Sequence, residues 1–186
     1  MKNLILFIGL SLAMFSFSSC DKDDPEPPHE EELITTLTLT MTPEAGGNDV
    51  VFQFRDTDGE GGNDAVITSG ALMANTVYNG VIELLNESIS PTEDITAEVK
   101  SEGTEHQFFF ATTEGVNLSF GYRDMDTDGN PIGLEAAFQT GDASSGQFQV
   151  TLRHEPTKNA SNVSAGDISN AGGETDIEVI FDIDIQ

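Results

Sequence analysis

Tryptophan is absent from this chain, cysteine occurs once, tyrosine twice, and only 7 Lys and Arg residues stand against 33 Asp and Glu, for a formal charge of -26. Each scarcity excludes something. A single cysteine, Cys20, cannot form an intrachain disulfide, so the fold must be held by an apolar core, or by core plus metal. The acidic excess makes nucleic acid and anionic headgroups poor partners, favours a soluble monomer, and suits bound divalent cations. Without tryptophan there is little from which to build a sugar-stacking platform. Catalytic signatures are missing too: there is no Gly-x-Ser-x-Gly elbow, no His-Glu-x-x-His and no phosphate-cradling glycine loop beside a lysine. The sequence therefore points to a non-enzymatic protein.

What is present starts at the N-terminus. Lys2 precedes an uncharged apolar run from Leu4 to Phe17, the pattern of a secretion signal and too short to cross a bilayer as a helix. The run ends at Phe17-Ser18-Ser19-Cys20, which resembles the lipobox of bacterial lipoproteins. That resemblance implies a signal peptide over 1–19 and a lipidated Cys20 as the mature N-terminus, with the membrane as partner through the lipid. Asp21 to Glu32 carries no apolar side chain other than proline, so 20–32 reads as an acidic, Pro-rich, solvated stalk. Acidic residues directly behind the cysteine resemble the surface-export signal of Bacteroidota lipoproteins, which implies the outer face of the outer membrane.

From 33 to 186 the chain has the length of one domain. Leu37-Thr38-Leu39-Thr40-Met41 alternates apolar and polar, turn residues follow, and Val50-Val51-Phe52-Gln53-Phe54 returns: a β-hairpin signature. Tyr78–Leu85, His106–Ala111, Val116–Tyr122, Leu134–Phe138, Phe148–Leu152 and Ile177–Ile185 read the same way. One helix is expected near 91–102, with Ser90 as N-cap, Pro91 in the first turn, Glu93 three after the cap and Gly103 as stop. Eight or nine short strands predict an all-β, antiparallel β-sandwich, Ig-like or jelly-roll-like, with a barrel as the other architecture.

Two acidic loops carry the first candidate site. Phe54-Arg55-Asp56-Thr57-Asp58-Gly59 is echoed by Tyr122-Arg123-Asp124-Met125-Asp126-Thr127-Asp128-Gly129, which places both on comparable hairpins. Asp124, Asp126, Asp128, Gly129 and Glu135 match the spacing of an EF-hand calcium loop, with Asn130 among them, because calcium needs several hard oxygens at close range. The flanks alternate as strands, however, and Ile132 stands where a ligating side chain belongs, so the fit is to a calcium-binding hairpin rather than a helix-flanked loop. Asp56, Asp58 and Asp64 form the matching set in the first loop, where glycines let side chains converge. The plain alternative is a pair of tight turns using Asp and Gly for geometry. A second candidate is the pair His106 and His154, each at a strand end, which could hold a transition metal or haem if the fold brings them together.

The segments His106-Gln107-Phe108-Phe109-Phe110, Asp126-Thr127-Asp128-Gly129-Asn130-Pro131, Leu152-Arg153-His154-Glu155-Pro156 and Gly172-Gly173-Glu174-Thr175-Asp176-Ile177 together resemble a family of Bacteroidota-type surface lipoproteins, over nearly the whole chain. Members often carry the label "type 1 periplasmic binding fold". That label implies parallel α/β architecture, which the strand-period pattern contradicts. The resemblance implies lipoprotein status and a role accessory to outer-membrane nutrient uptake, with an outer-membrane transporter as partner. The expectation is thus a lipid-anchored binding module at the cell surface; the alternative is a structural or adhesive module whose calcium stiffens the loops.

Overall fold

The alternation at Leu37–Met41 becomes strand β1 (Thr36–Pro43) in the computed structural model, which describes residues 32–59 and 62–186. Leu37, Leu39 and Met41 are fully buried, while Thr38 and Thr40 face the other way and stay partly accessible. The expected signal peptide, Cys20 and most of the stalk lie outside the described residues. β2 (Val50–Arg55) returns antiparallel to β1 with Met41 opposite Val50, so the hairpin forms in the register its pattern demands.

The larger sheet is completed by β3 (Val66–Ser69), β4 (Val77–Asn86), the two-residue β5 (Glu93–Asp94), β7 (Leu118–Tyr122) and β8 (Glu135–Thr140). Its strand order is β3-β2-β1-β4-β8-β7, with β5 paired to β4. A second sheet has the order β10-β9-β6, formed by β6 (His106–Thr112), β9 (Ser144–His154) and β10 (Glu174–Ile185). All these strand pairs are antiparallel, and the two sheets close on one core, giving the all-β sandwich that the sequence predicts. Phe52 from the larger sheet meets Phe148 and Phe181 from the smaller one edge to face, at centroid separations of 6.0 and 5.6 Å. Burying each such side chain contributes roughly 1.5–3 kcal/mol, which is how a chain without disulfides holds two sheets together.

The helix arrives later than the cap signals suggest. α1 spans Ile95–Ser101 and its N-cap is Asp94, whose carboxylate accepts the Ala97 amide; Ser90 does not cap it. The reason is competition: Glu93 and Asp94 are drawn into backbone pairing with Asn86 and Leu85 of β4 before the helix can begin. The expected apolar stripe of Ile95 and Val99 is buried, and Thr96 bonds both the amide and the carbonyl of Leu84, fixing α1 against the end of β4. From there the chain crosses to the second sheet and enters β6 at His106.

Candidate metal centre

His106 is the first residue of β6 and His154 the last of β9. Antiparallel pairing sets the start of one strand against the end of the other, so the two histidines are direct register partners. Their ring centroids are 4.7 Å apart, with the planes inclined at 71°. Neither has room to leave: the side chains are 0% and 9% exposed.

Two carboxylates complete the cluster, and each is placed by a local departure from regular structure. Asp176 lies in β10, which pairs with β9 as Glu174 opposite His154 and Thr175 opposite Arg153, and resumes with Ile177 opposite Leu152. Asp176 is thus the extra residue of a β-bulge. Strict alternation would place it outward with Glu178, whereas the bulge turns its side chain inward, to 0% exposure. The strand is aimed by Gly172 and Gly173, both with positive φ, whose carbonyls accept hydrogen bonds from the Arg153 guanidinium. A Cβ on Gly173 would run into the His154 carbonyl. Gly173→Ala is therefore expected to cost roughly 1–3 kcal/mol from its backbone conformation alone, with the collision adding to it, and to displace Asp176. A denaturant titration against the parent chain measures the loss.

Glu32 is the other carboxylate. Composition groups it with the solvated stalk, yet its side chain is only 3% exposed. Its Oε1 lies 2.7 Å from His106 Nε2 and its Oε2 3.3 Å from His154 Nδ1. Asp176 makes the same pair of approaches, with Oδ2 3.7 Å from His106 Nε2 and Oδ1 3.5 Å from His154 Nδ1. Four donor atoms, one from each residue, lie within 4.8 Å of one another.

The spacing can be compared with a coordination shell. Bonds of about 2.0–2.1 Å at tetrahedral angles put neighbouring ligand atoms roughly 3.3 Å apart; the nitrogen–oxygen separations above run from 2.7 to 3.7 Å, with each carboxylate turning a different oxygen to each ring. The tautomer is set correctly as well. His106 Nδ1 lies 3.2 Å from the Glu102 carbonyl, which can only accept, so Nδ1 donates there and Nε2 is the nitrogen left to face the cluster. Carboxylates of Glu105 and Glu155 approach a ring nitrogen of His154, adding negative charge behind the ligands. Burial pulls the His154 imidazole down, but the Glu32 hydrogen bond and the Asp176 charge outweigh it, and the ring ends above its usual value. The site favours positive charge. Haem does not fit it, because two imidazoles in edge contact within a buried cluster leave no gap for a porphyrin plane.

The acidic loops are arranged differently. They join β2 to β3 and β7 to β8, at the same end of the larger sheet but at its opposite edges. Four strand spacings of about 4.8 Å put them roughly 19 Å apart, so no ion is shared between them. In the second loop Asp124 accepts the Gly133 and Leu134 amides at 2.8 and 2.9 Å. Asp126 accepts those of Asp128 and Asn130 through Oδ1, and the Lys158 ammonium through Oδ2, each at 2.9 Å. Lys158 also donates to the Pro131 and Gly103 carbonyls. The cation in this loop is thus a lysine. Asp128 is exposed, and Glu135 sits on the outward face of β8. In the first loop Asp56 accepts the Gly59 amide and Asp58 binds the Asn63 backbone and side chain, while Asp64 is exposed. Among the described residues, neither loop gathers three carboxylates around one point; the clusters that do converge contain His154.

Of the expected site residues, then, the structure joins His106 and His154 and adds Glu32 and Asp176, which pattern reading does not single out. The chain matches no protein-family model, no curated protein and no solved structure.

Proposed function

We propose that this chain is a lipid-anchored β-sandwich that holds a divalent transition metal of the zinc class through Glu32, His106, His154 and Asp176. The observation that carries the reading is the register pair His106 and His154 with two buried carboxylates, each within 2.7–3.7 Å of both rings. Two carboxylates and two neutral imidazoles around a dication form a neutral unit, which relieves the cost of burying two anions. Imidazole donors suit zinc, iron or cobalt over calcium, whose shell is built from oxygens. Four protein donors in a buried setting describe a closed site that retains its ion, as opposed to a hydrolytic site with an open position. The apolar run ending at Cys20 supports export and tethering, and the acidic residues behind it support the outer membrane surface, where an outer-membrane transporter is the proposed partner.

Thermal melting with zinc, with calcium and with chelator tests the metal. A ligand present at about a thousand times its dissociation constant adds about 4 kcal/mol to folded stability. Zinc is expected to raise the melting temperature by many degrees over the chelated protein, and calcium to fall well short of it. Equal melting with zinc and chelator, and no zinc retained after dialysis, would sink the proposal.

A further inference from the structure

We infer that metal binding clasps the N-terminal end of the domain onto the second sheet, so that the point where the chain leaves toward Cys20 is pinned only when the site is loaded. The inference rests on the metal reading above and adds a mechanical consequence to it.

Three of the proposed ligands, His106, His154 and Asp176, belong to β6, β9 and β10, the three strands of the smaller sheet. Glu32 alone comes from elsewhere. It precedes β1 of the larger sheet and stands 122 residues from His154. From Thr35 onward the backbone is secured: the Thr35 amide donates to the Leu85 carbonyl at 3.0 Å, and the Thr35 carbonyl accepts the Asp56 amide at 2.8 Å. Ahead of it, among the described residues, Glu32, Leu33 and Ile34 make no backbone hydrogen bond. Leu33 is 57% exposed, and Ile34 contributes only a half-buried side chain. The polar attachment of this segment is therefore the Glu32 carboxylate, lodged among the other three ligands.

An ion at that point makes bonds to a carboxylate carried by the lead-in and to three side chains carried by a rigid sheet. Removing the ion leaves two buried carboxylates competing for two imidazoles, and the one on the unsupported segment is the one free to withdraw into water. Asp176 has no such choice, because β10 is paired along its length to β9. The metal would thereby set whether the domain sits at a fixed or a loose end of its tether.

Hydrogen exchange on the full chain, with zinc and with chelator, tests this at the Thr35 amide, the first hydrogen-bonded amide after Glu32. The exposed turn amide of Gly115, at the far end of β6, serves as the control. Zinc, by suppressing fraying of the lead-in, is expected to slow exchange at Thr35 by about tenfold or more and to leave Gly115 unchanged. Glu32→Ala is expected to bind zinc more weakly through the remaining ligands and to show no zinc-dependent protection at Thr35. If the parent chain binds zinc but the Thr35 amide exchanges at the same rate as in chelator, the clasp is wrong while the metal site stands. Should Glu32→Ala bind zinc with the parent affinity, Glu32 is not a ligand and the clasp also fails. A parent chain that binds no zinc removes both.

Discussion

Replacing Lys158 by methionine is expected to cost about 3–5 kcal/mol of folding stability, which for a domain of this size lowers the melting temperature by roughly 10 °C. Methionine keeps the length and apolar body of the side chain, so the loss isolates the charge. The Lys158 and Asp126 side chains are 4% and 1% exposed, and the ammonium is held by Asp126, Pro131 and Gly103 together. These come from the loop between β7 and β8 and from the turn after α1, while Lys158 itself follows β9. Burial pulls the ammonium below its ordinary value, and Asp126 offsets this only in part. Burial also pushes Asp126 upward, but Lys158 and the Asn130 and Asp128 amides outweigh it and hold the carboxylate below its usual range. What the substitution loses is the partner of a buried carboxylate oxygen and of two buried carbonyls, each of which keeps its desolvation cost. Adding Asp126→Asn should recover part of the loss, since the stranded charge is then gone. Paired denaturant titrations of the single and double variants measure this, and a loss under about 1 kcal/mol for Lys158→Met would contradict it.

The same lysine explains why the second acidic loop reads as a cation site. Asp126 does hold a positive charge, and Asp126 and Asp124 between them accept four backbone amides, which is the chemistry their spacing implies. The charge arrives from a residue 32 positions away, in a turn whose local sequence carries no sign of the contact. Spacing reports that acids will converge. It does not report on what.

Strands were legible wherever one face is buried. In β10 the burial of Ile177, Val179, Phe181, Ile183 and Ile185 against exposed Glu178, Asp182 and Asp184 follows the written alternation residue by residue. β3 left no such trace, because all of Val66–Ser69 is exposed and an edge strand needs only a neighbour's backbone. The echo between the two Arg-Asp loops did carry topology: both connect edge hairpins of one sheet at the same end. The His-carboxylate cluster was half legible. His106 and His154 stand at strand ends, but their pairing depends on β6 lying beside β9, a matter of topology. Asp176 is hidden by the bulge that reverses its facing, and Glu32 by acidic neighbours that make it look solvated.

His106→Ala is expected to weaken zinc binding on the order of a hundredfold or more, since loss of a partner behind a ligand already costs about 10–100-fold and here the ligand itself is removed. His106 is the firmest of the donors, with 0% exposure and its Nδ1 committed to the Glu102 carbonyl. The variant should be less stable than the parent in both conditions, and by more when the ion is present. In chelator the substitution removes a partner of two buried carboxylates and opens a void, so the variant melts below the parent; in zinc the gap widens, because the parent gains the full binding energy and the variant does not. Cobalt makes the coordination visible. Loaded into the parent chain, it should give the intense visible absorption of a tetrahedral site, and His106→Ala and Asp176→Asn should each diminish it, whereas Asp128→Asn, in the exposed acidic loop, should leave it intact. A parent spectrum of octahedral, aqueous cobalt would mean that the four side chains meet for each other's hydrogen bonds alone, and the cluster would then be a buried polar network that fixes β6, β9 and β10 in register.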